Sequence, residues 1–249
     1  MMSNTLLLDG DMVVFSICIT HEHEVQWDDE IHTLHSRFSD CLDSLEVYMA
    51  NIKEVLDAEH CVFAFSGASN FRKDVLPTYK ANRKKTRKPL AYSRLRAHIE
   101  DTEESLCFDN LEADDVLGIY ATNNTYKNPI IVSDDKDLLS IPGRVYRLEE
   151  LHTISEEEAD FNHLKQTLTG DVTDGYKGCP GVGPKKAESI LSTLDWNNIV
   201  AAYEAAGLTE EDALAQARVA RILRHTDWDA EKERVVLWQP KTVTEQTSG

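Results

Sequence analysis

The sequence predicts an α/β protein whose sheet is mostly parallel and flanked by helices, and two observations carry that prediction. Short apolar runs of strand length, at residues 6–8, 61–65 and 129–132, alternate with stretches whose apolar residues recur at helical spacing. Acidic residues gather where those runs stop: Ile130-Ile131-Val132 passes directly into Ser133-Asp134-Asp135-Lys136-Asp137, and Leu6-Leu7-Leu8 into Asp9-Gly10-Asp11. Strands covered on both faces read as unbroken hydrophobic runs, and their crossovers are right-handed. Ligands of open α/β sheets collect at the carboxyl ends of the strands, where these aspartates fall.

The elements follow in order. Residues 5–9 form the first strand, and apolar residues 12–19 a helix packed on the sheet. The polar stretch 20–35 is expected as a loop with at most a short helical piece. From an N-cap at Ser39 or Asp40, Leu42, Leu45, Met49, Ile52, Val55 and Leu56 keep helical spacing. A second strand, 61–65, ends at Ser66-Gly67. Residues 71–96 are basic and lack a regular apolar period, as a loop or short projecting helices would. Residues 106–108 are a short strand, and Leu111 to Ile119 opens a helix whose acidic first turn suits the helix dipole. Strands at 129–133 and 144–147 follow. An acidic linker, 155–160, leads to a short helix bearing Phe161, Leu164 and Leu168 that Gly170 stops. Residues 171–186 are glycine-rich, 187–194 helical, and Thr209 with Asp212 forms a capping box for a C-terminal helix. The tail from Lys241 is expected to be disordered.

Charge is unevenly spread. The chain carries −18 overall, yet residues 72–96 hold ten Lys or Arg and one acid, Asp74, a net +9 that leaves −27 on the remaining 224 residues. A basic face on an acidic body fits a polyanion partner, which the net charge alone would argue against. The five cysteines are scattered without a CxxC pair, so a zinc site or disulfide framework is not expected. No apolar run reaches the roughly 18 residues of a membrane span. The N-terminus lacks the basic start of a signal peptide, so a cytoplasmic protein is expected.

Four groups of carboxylates carry the chemistry: Asp9/Asp11, Glu112/Asp114/Asp115, Asp134/Asp135/Asp137 and Asp171/Asp174. Any one group alone reads as caps, turns or a solvated surface. Four at the ends of successive buried elements do not. Oxygen donors without histidine or cysteine select Mg²⁺ or Mn²⁺. Two such ions about 4 Å apart can activate water and stabilise both the attacking and leaving oxygens of a phosphodiester. The hairpin 178–183, followed by Lys185 and Lys186, lets backbone N–H groups approach a phosphate. Lys80, Arg83 and Lys84 would share one helix face along a nucleic-acid backbone, with Tyr79 stacked on a base. The bland alternative for them is a solvated basic loop. His21-Glu22-His23 lies in a polar stretch and is read as exposed. No phosphate loop of an NTPase and no Ser-His-Asp pattern is present.

The motifs LLLDGD, FRKDVLPTYKANRK, LEADDVLG, VSDDKDLLSIPG and GDVTDGYKGCPGVGPKKA, in that order, resemble those of the 5′-nuclease superfamily. This superfamily comprises flap endonucleases, the 5′-nuclease domain of bacterial DNA polymerase I and phage 5′→3′ exonucleases. The likeness spans residues 6–194, and the TDGYKG variant and the tail resemble the replication exonucleases of short-tailed phages. The resemblance implies a PIN-like core at 1–155 with a basic arch at about 67–100, a helix-three-turn-helix module with C-terminal helices at 156–240, and a tail at 241–249. It implies metal ligands at Asp9, Glu112, Asp114, Asp115, Asp135, Asp137, Asp171 and Asp174. Lys80 and Arg83 would contact the scissile phosphate. Gly181, Val182 and Gly183, with Lys185 and Lys186, would grip duplex DNA, with K⁺ bound at the hairpin carbonyls. One departure stands out: Ser66 occupies a position where the superfamily has aspartate, and Asp11 one where many members have asparagine, so Asp11 is a candidate to compensate.

The expected function is Mg²⁺-dependent 5′→3′ hydrolysis of double-stranded DNA, with RNA–DNA hybrids as further substrates, by a monomer in phage replication or recombination. Asp9, Asp135, Lys80 and Arg83 are the expected catalytic residues. A structure-specific flap endonuclease with the same site is the nearest alternative. A non-catalytic DNA-binding protein would not need the acids, and a PIN-type ribonuclease would lack the GVGPKK segment.

Overall fold

The computed structural model of the chain describes residues 3–82 and 87–240. Strand β1 (Asn4–Asp9) leads into α1 (Gly10–Thr20), a hairpin of β2 (Glu22–Gln26) and β3 (His32–Ser36), α2 (Phe38–Val55) and β4 (Ala58–Ser66). The one-turn α3 (Arg72–Val75), α4 (Tyr92–Thr102), β5 (Ser105–Phe108), α5 (Ala113–Thr122) and β6 (Pro129–Val132) follow. After a 3₁₀ turn (Lys136–Ser140) come β7 (Gly143–Arg147), β8 (Glu150–Ile154), α6 (Glu156–Thr169), α7 (Pro184–Ile190), α8 (Trp196–Ala205) and α9 (Glu210–Ala220). The two-residue strands β9 (Trp228–Asp229) and β10 (Arg234–Val235) complete the order.

Six strands form one sheet in the order β5-β4-β1-β6-β7-β8. All neighbours are parallel except the last pair, β7 and β8. The chain builds outward from β1 through β4 to β5, then crosses back to add β6 on the other side. That reversal opens a crevice beyond the carboxyl ends of β1, β4 and β6. Alternate side chains of a strand face opposite sides. Leu6, Leu8, Phe63 and Phe65 therefore pack under α1, α2 and α4, while Leu7, Val62, Ala64 and Ile131 pack under α5. Each such buried Leu or Phe contributes about 1.5–3 kcal/mol.

A third apolar cluster joins α6 to α9 around Leu168, Val182, Leu191 and Tyr203. The chain beyond α9 then returns to the α5 side of the sheet, where Ile222 and Leu223 are buried. The expected boundary at 155/156 falls on the N-cap of α6. Gly170 and Gly178, both at positive φ (67° and 64°), lock the end of α6 against the hairpin, since a Cβ on either would stand 2.3 Å from the opposing backbone.

Several expectations change. Residues 20–35 are not a loop with a helical piece but contain the hairpin β2–β3, paired from Glu22 with Ser36 to Gln26 with His32. The acidic stretch 155–160 is no linker: Ser155 and Glu158 form a capping box, and the acids are the first turn of α6. Helix α2 starts after Arg37, ahead of Ser39 and Asp40. Strand β8 and helix α8 were not expected from the sequence. The tail 241–249 lies outside the described residues.

Candidate active site

At the carboxyl edge of β1, β4 and β6 lies a cleft of about 440 Å³, closed on its far side by the 171–176 loop and the end of α9. Asp9 ends β1 and caps α1: its carboxylate accepts the Met12 N–H (3.0 Å) and the Ser133 hydroxyl (3.0 Å). Burial pushes its pKa up to about 6 against those two hydrogen bonds, and Asp11 and Asp135 add to the rise. Asp135, just past β6, accepts the Asp137 N–H (2.8 Å), and burial raises its pKa too. Asp114, in the first turn of α5, is driven well above the usual carboxylate range by burial and then by Asp9 and Asp135.

The opposite wall is acidic but neutralised. Glu112 lies beside the Lys80 ammonium, 2.8 Å from the Tyr79 hydroxyl and 3.3 Å from Arg72. Burial would raise its pKa, but Arg72 and Lys80 outweigh that and hold it at about 2. Asp174 is 3.0 Å from the Tyr79 hydroxyl and 3.7 Å from Lys80, whose own N–H donates to the Asp174 carbonyl (2.6 Å). Lys136 pairs with Asp137 (2.8 Å) and approaches Asp171 (3.8 Å), whose carboxylate also accepts the Thr173 N–H (2.7 Å).

The cleft thus has two halves. Asp9, Asp114 and Asp135 crowd one another, and no ion pair neutralises them among the described residues; Glu112, Asp174, Asp137 and Asp171 are matched to lysine and arginine. Buried oxygen donors that repel one another suit a hard divalent cation, which would offset the burial and the repulsion that now favour their protonated forms. Among the described residues, no three acidic, histidine or cysteine side chains converge tightly enough to form a ready cage for an ion.

The structure brings Asp9, Asp11, Glu112, Asp114, Asp135, Asp137, Asp171, Asp174, Tyr79 and Lys80 to this cleft. It does not bring Asp115. That side chain is fully buried beneath α5, its two oxygens held by the Arg72 guanidinium at 2.7 Å each and further engaged by the Leu223 and Glu112 N–H groups. Its expected place among the metal ligands gives way to a structural ion pair. Asp134 also faces away, accepting the Leu148 N–H (3.0 Å). Tyr79 is not a stacking platform: only 3% of it is exposed, and it packs against Tyr176. Residues 79–82 form turns, so the shared helix face expected for Lys80, Arg83 and Lys84 does not extend through them. Arg83 and Lys84 lie outside the described residues.

Gly181 and Gly183 present open backbone at the hairpin, Val182 is buried in the third cluster and anchors it, and Lys185 and Lys186 are exposed. Sequence reasoning missed Arg72, counted with the basic face but only 3% exposed. Beyond Asp115, it binds the Val219 and Arg221 carbonyls (2.9 and 2.6 Å) and so ties α3 to α5 and α9. It missed Tyr92 and Arg96 as well, and no local pattern distinguishes either from a surface helix residue. Lys136 was in plain view inside the aspartate cluster.

Residues 4–167 match the family model described as the N-terminal resolvase-like domain of 5′-3′ exonucleases. The chain is 32% identical to the exodeoxyribonuclease of Enterobacteria phage T3, with 95% of this chain and 93% of that protein aligned. It is likewise 32% identical to the exonuclease of Escherichia phage T7, covering 94% and 93%. Among solved structures, phage T5 5′-exonuclease with bound divalent zinc superposes with a TM-score of 0.65 at 15% identity, covering 87% of this chain and 89% of that one. A phage T5 flap endonuclease complex with DNA and metal ions superposes with a TM-score of 0.61 at 15% identity, over 87% and 88%.

Proposed function

The chain belongs to the 5′-3′ exonuclease family and is a 5′-3′ exonuclease, and from that premise we propose that it removes nucleotides from the 5′ end of duplex DNA with Mg²⁺ as cofactor. The products are 5′-phosphorylated mono- or oligonucleotides, made by a monomer during phage DNA replication or recombination, and RNA in RNA–DNA hybrids is a further substrate. The observation that carries this reading is the half-neutralised cleft, with Asp9, Asp114 and Asp135 crowded on one wall and Lys80 reaching in from the other.

Asp9, Asp114, Asp135 and Glu112 would hold the two ions, with Asp137, Asp171 and Asp174 completing the ring; Mn²⁺ would substitute, since both ions prefer oxygen donors. When bound, the ions supply an activated water and offset charge on the attacking and leaving oxygens. The protein residues do the rest. Lys80, moving from Glu112 to the scissile phosphate with Arg83, would neutralise the charge that develops on its non-bridging oxygens. Tyr79, bridging Glu112 and Asp174, fixes the two carboxylates relative to each other. Residues 156–240 would grip the duplex through the open backbone of Gly181 and Gly183, with K⁺ at the hairpin and Lys185 and Lys186 on the phosphates.

The test is digestion of a linear duplex labelled at either the 5′ or the 3′ end, with Mg²⁺. Early release of the 5′ label as mono- or short oligonucleotide is the expected result. Progressive loss of the 3′ label, with the 5′ label retained, would overturn the proposal.

A further inference from the structure

Ser66 is a junction. Its N–H donates to Asp11 Oδ2 (2.9 Å), its hydroxyl accepts the N–H of Ala113, the first residue of α5 (3.0 Å), and its carbonyl accepts a hydrogen bond from Arg96 Nη1 (3.3 Å). The other oxygen of Asp11 accepts the Tyr92 hydroxyl (2.6 Å), and Arg96 Nη1 stands 3.7 Å from the same oxygen. Tyr92 is 4% exposed and belongs to α4, the helix that follows the basic segment; Arg96, one turn on, lies over the Phe65 ring at 4.6 Å. One carboxylate therefore fastens α1, the end of β4 and α4 together. Through the Ser66 hydroxyl, the same junction holds the N-terminus of α5, which carries Glu112 and Asp114.

We infer that Asp11 is a positioning residue for the 5′-exonuclease reaction: it sets α4, the helix that follows the basic segment in the chain, in register with the cleft acids. This deepens the function proposed above and rests on it. Asp11 lines the same cleft and, like Asp9, has both oxygens committed to donors of the protein; it differs in that its donors, the Ser66 N–H and the Tyr92 hydroxyl, tie the end of β4 and α4 to α1. Ser66 makes this possible because it is neutral. A carboxylate there would place a second negative charge beside Asp11, in the position where Ser66 Oγ now receives the Ala113 amide. Asp11 thus does not replace a missing ligand at position 66.

Asp11→Asn and Tyr92→Phe test this. A hydrogen bond to a charged group is worth about tenfold in an equilibrium constant. For Asp11→Asn, KM for 5′-labelled duplex should rise about tenfold with kcat within about threefold, and Mn²⁺ affinity by calorimetry should stay within about twofold of wild type. Tyr92→Phe deletes one oxygen from a residue that touches no cleft acid except Asp11, and it should raise KM about threefold to tenfold. The double variant should be no worse than Asp11→Asn alone, because both remove one link. A tenfold or greater loss of Mn²⁺ affinity in Asp11→Asn would make it a ligand and overturn the inference. So would an unchanged KM in either single variant, or effects that multiply in the double one. A wild-type protein that fails to degrade duplex DNA would instead sink the proposed function, which separates the two failures.

Discussion

Replacing Arg72 by Met should destabilise the protein strongly. The guanidinium is 3% exposed and Asp115 is fully buried, with both pair distances at 2.7 Å. Methionine fills much of the volume but leaves the Asp115 carboxylate without a counter-charge and the Val219 and Arg221 carbonyls without donors. Breaking one side of a buried ion pair destabilises by about 3–5 kcal/mol. For a chain of this size, that loss lowers Tm by about 6–20 °C. Urea unfolding followed by tryptophan fluorescence reads the free energy directly, and thermal circular dichroism reads Tm. The pair also sets a second expectation. Arg72→Met/Asp115→Leu, which removes both charges and leaves an apolar pair, should recover at least half of the loss. A single variant within about 1 kcal/mol of wild type, or a double variant as unstable as the two singles combined, would refute the reasoning and reopen a ligand role for Asp115.

Other predictions are independent of that pair. Burial, followed by the nearby Arg221 charge, lowers the His163 pKa to about 3 in the folded chain. The unfolded chain takes up a proton near the ordinary value of about 6.5, so this residue's contribution is complete above that pH and is lost as pH falls toward 3. Between pH 7.5 and 5 it should cost about 2 kcal/mol of stability; His163→Gln, which keeps a donor for the Ala217 carbonyl, should remove that part of the slope, and an unchanged slope would contradict it. Tyr79→Phe should lower kcat about tenfold, the effect of one lost charge-assisted hydrogen bond, with DNA affinity unchanged; full activity would mean the phenol bridge between Glu112 and Asp174 is idle. Lys185→Met/Lys186→Met should reduce the slope of log Kd against log salt by about 2, since each phosphate contact contributes about 0.9. A wild-type slope would remove both lysines from the DNA interface.

Much of the fold was legible because burial leaves a strong local signature. The doubly covered strands at 6–8, 61–65 and 129–132 leave unbroken apolar runs too short for a helix, and Asp9 and Asp135 follow from where two of them end. What the sequence concealed depends on partners distant along the chain. Arg72 looks like one of ten cations until Asp115, 43 residues away, is seen to meet it. Tyr79 reads as an exposed aromatic among basic residues and is buried by Tyr176, nearly a hundred positions on. The hairpin at 22–36 gives no signal because most of both strands is exposed, so neither alternates polar with apolar. The acids at 156–158 mimic a linker only because a helix's first turn and a solvated loop favour the same residues. In the sequence Asp11 stands out by position alone; only the hydrogen bonds to Ser66 and Tyr92 give it a physical task.

In the function proposed above, the crowded carboxylates at the ends of β1, α5 and β6 carry out hydrolysis at the 5′ terminus of DNA with a divalent ion. Asp135→Ala tests it most directly, because Asp135 lies in the cleft, lacks an ion pair among the described residues and takes no part in the buried core. With Mg²⁺ and 5′-labelled duplex, kcat should fall by at least about 10³, the scale of losing an electrostatic element of the transition state. Melting temperature at neutral pH should be equal to or above wild type, since a source of repulsion is gone. Hydrolysis within about tenfold of wild type, at the same pH and Mg²⁺ concentration, would contradict it.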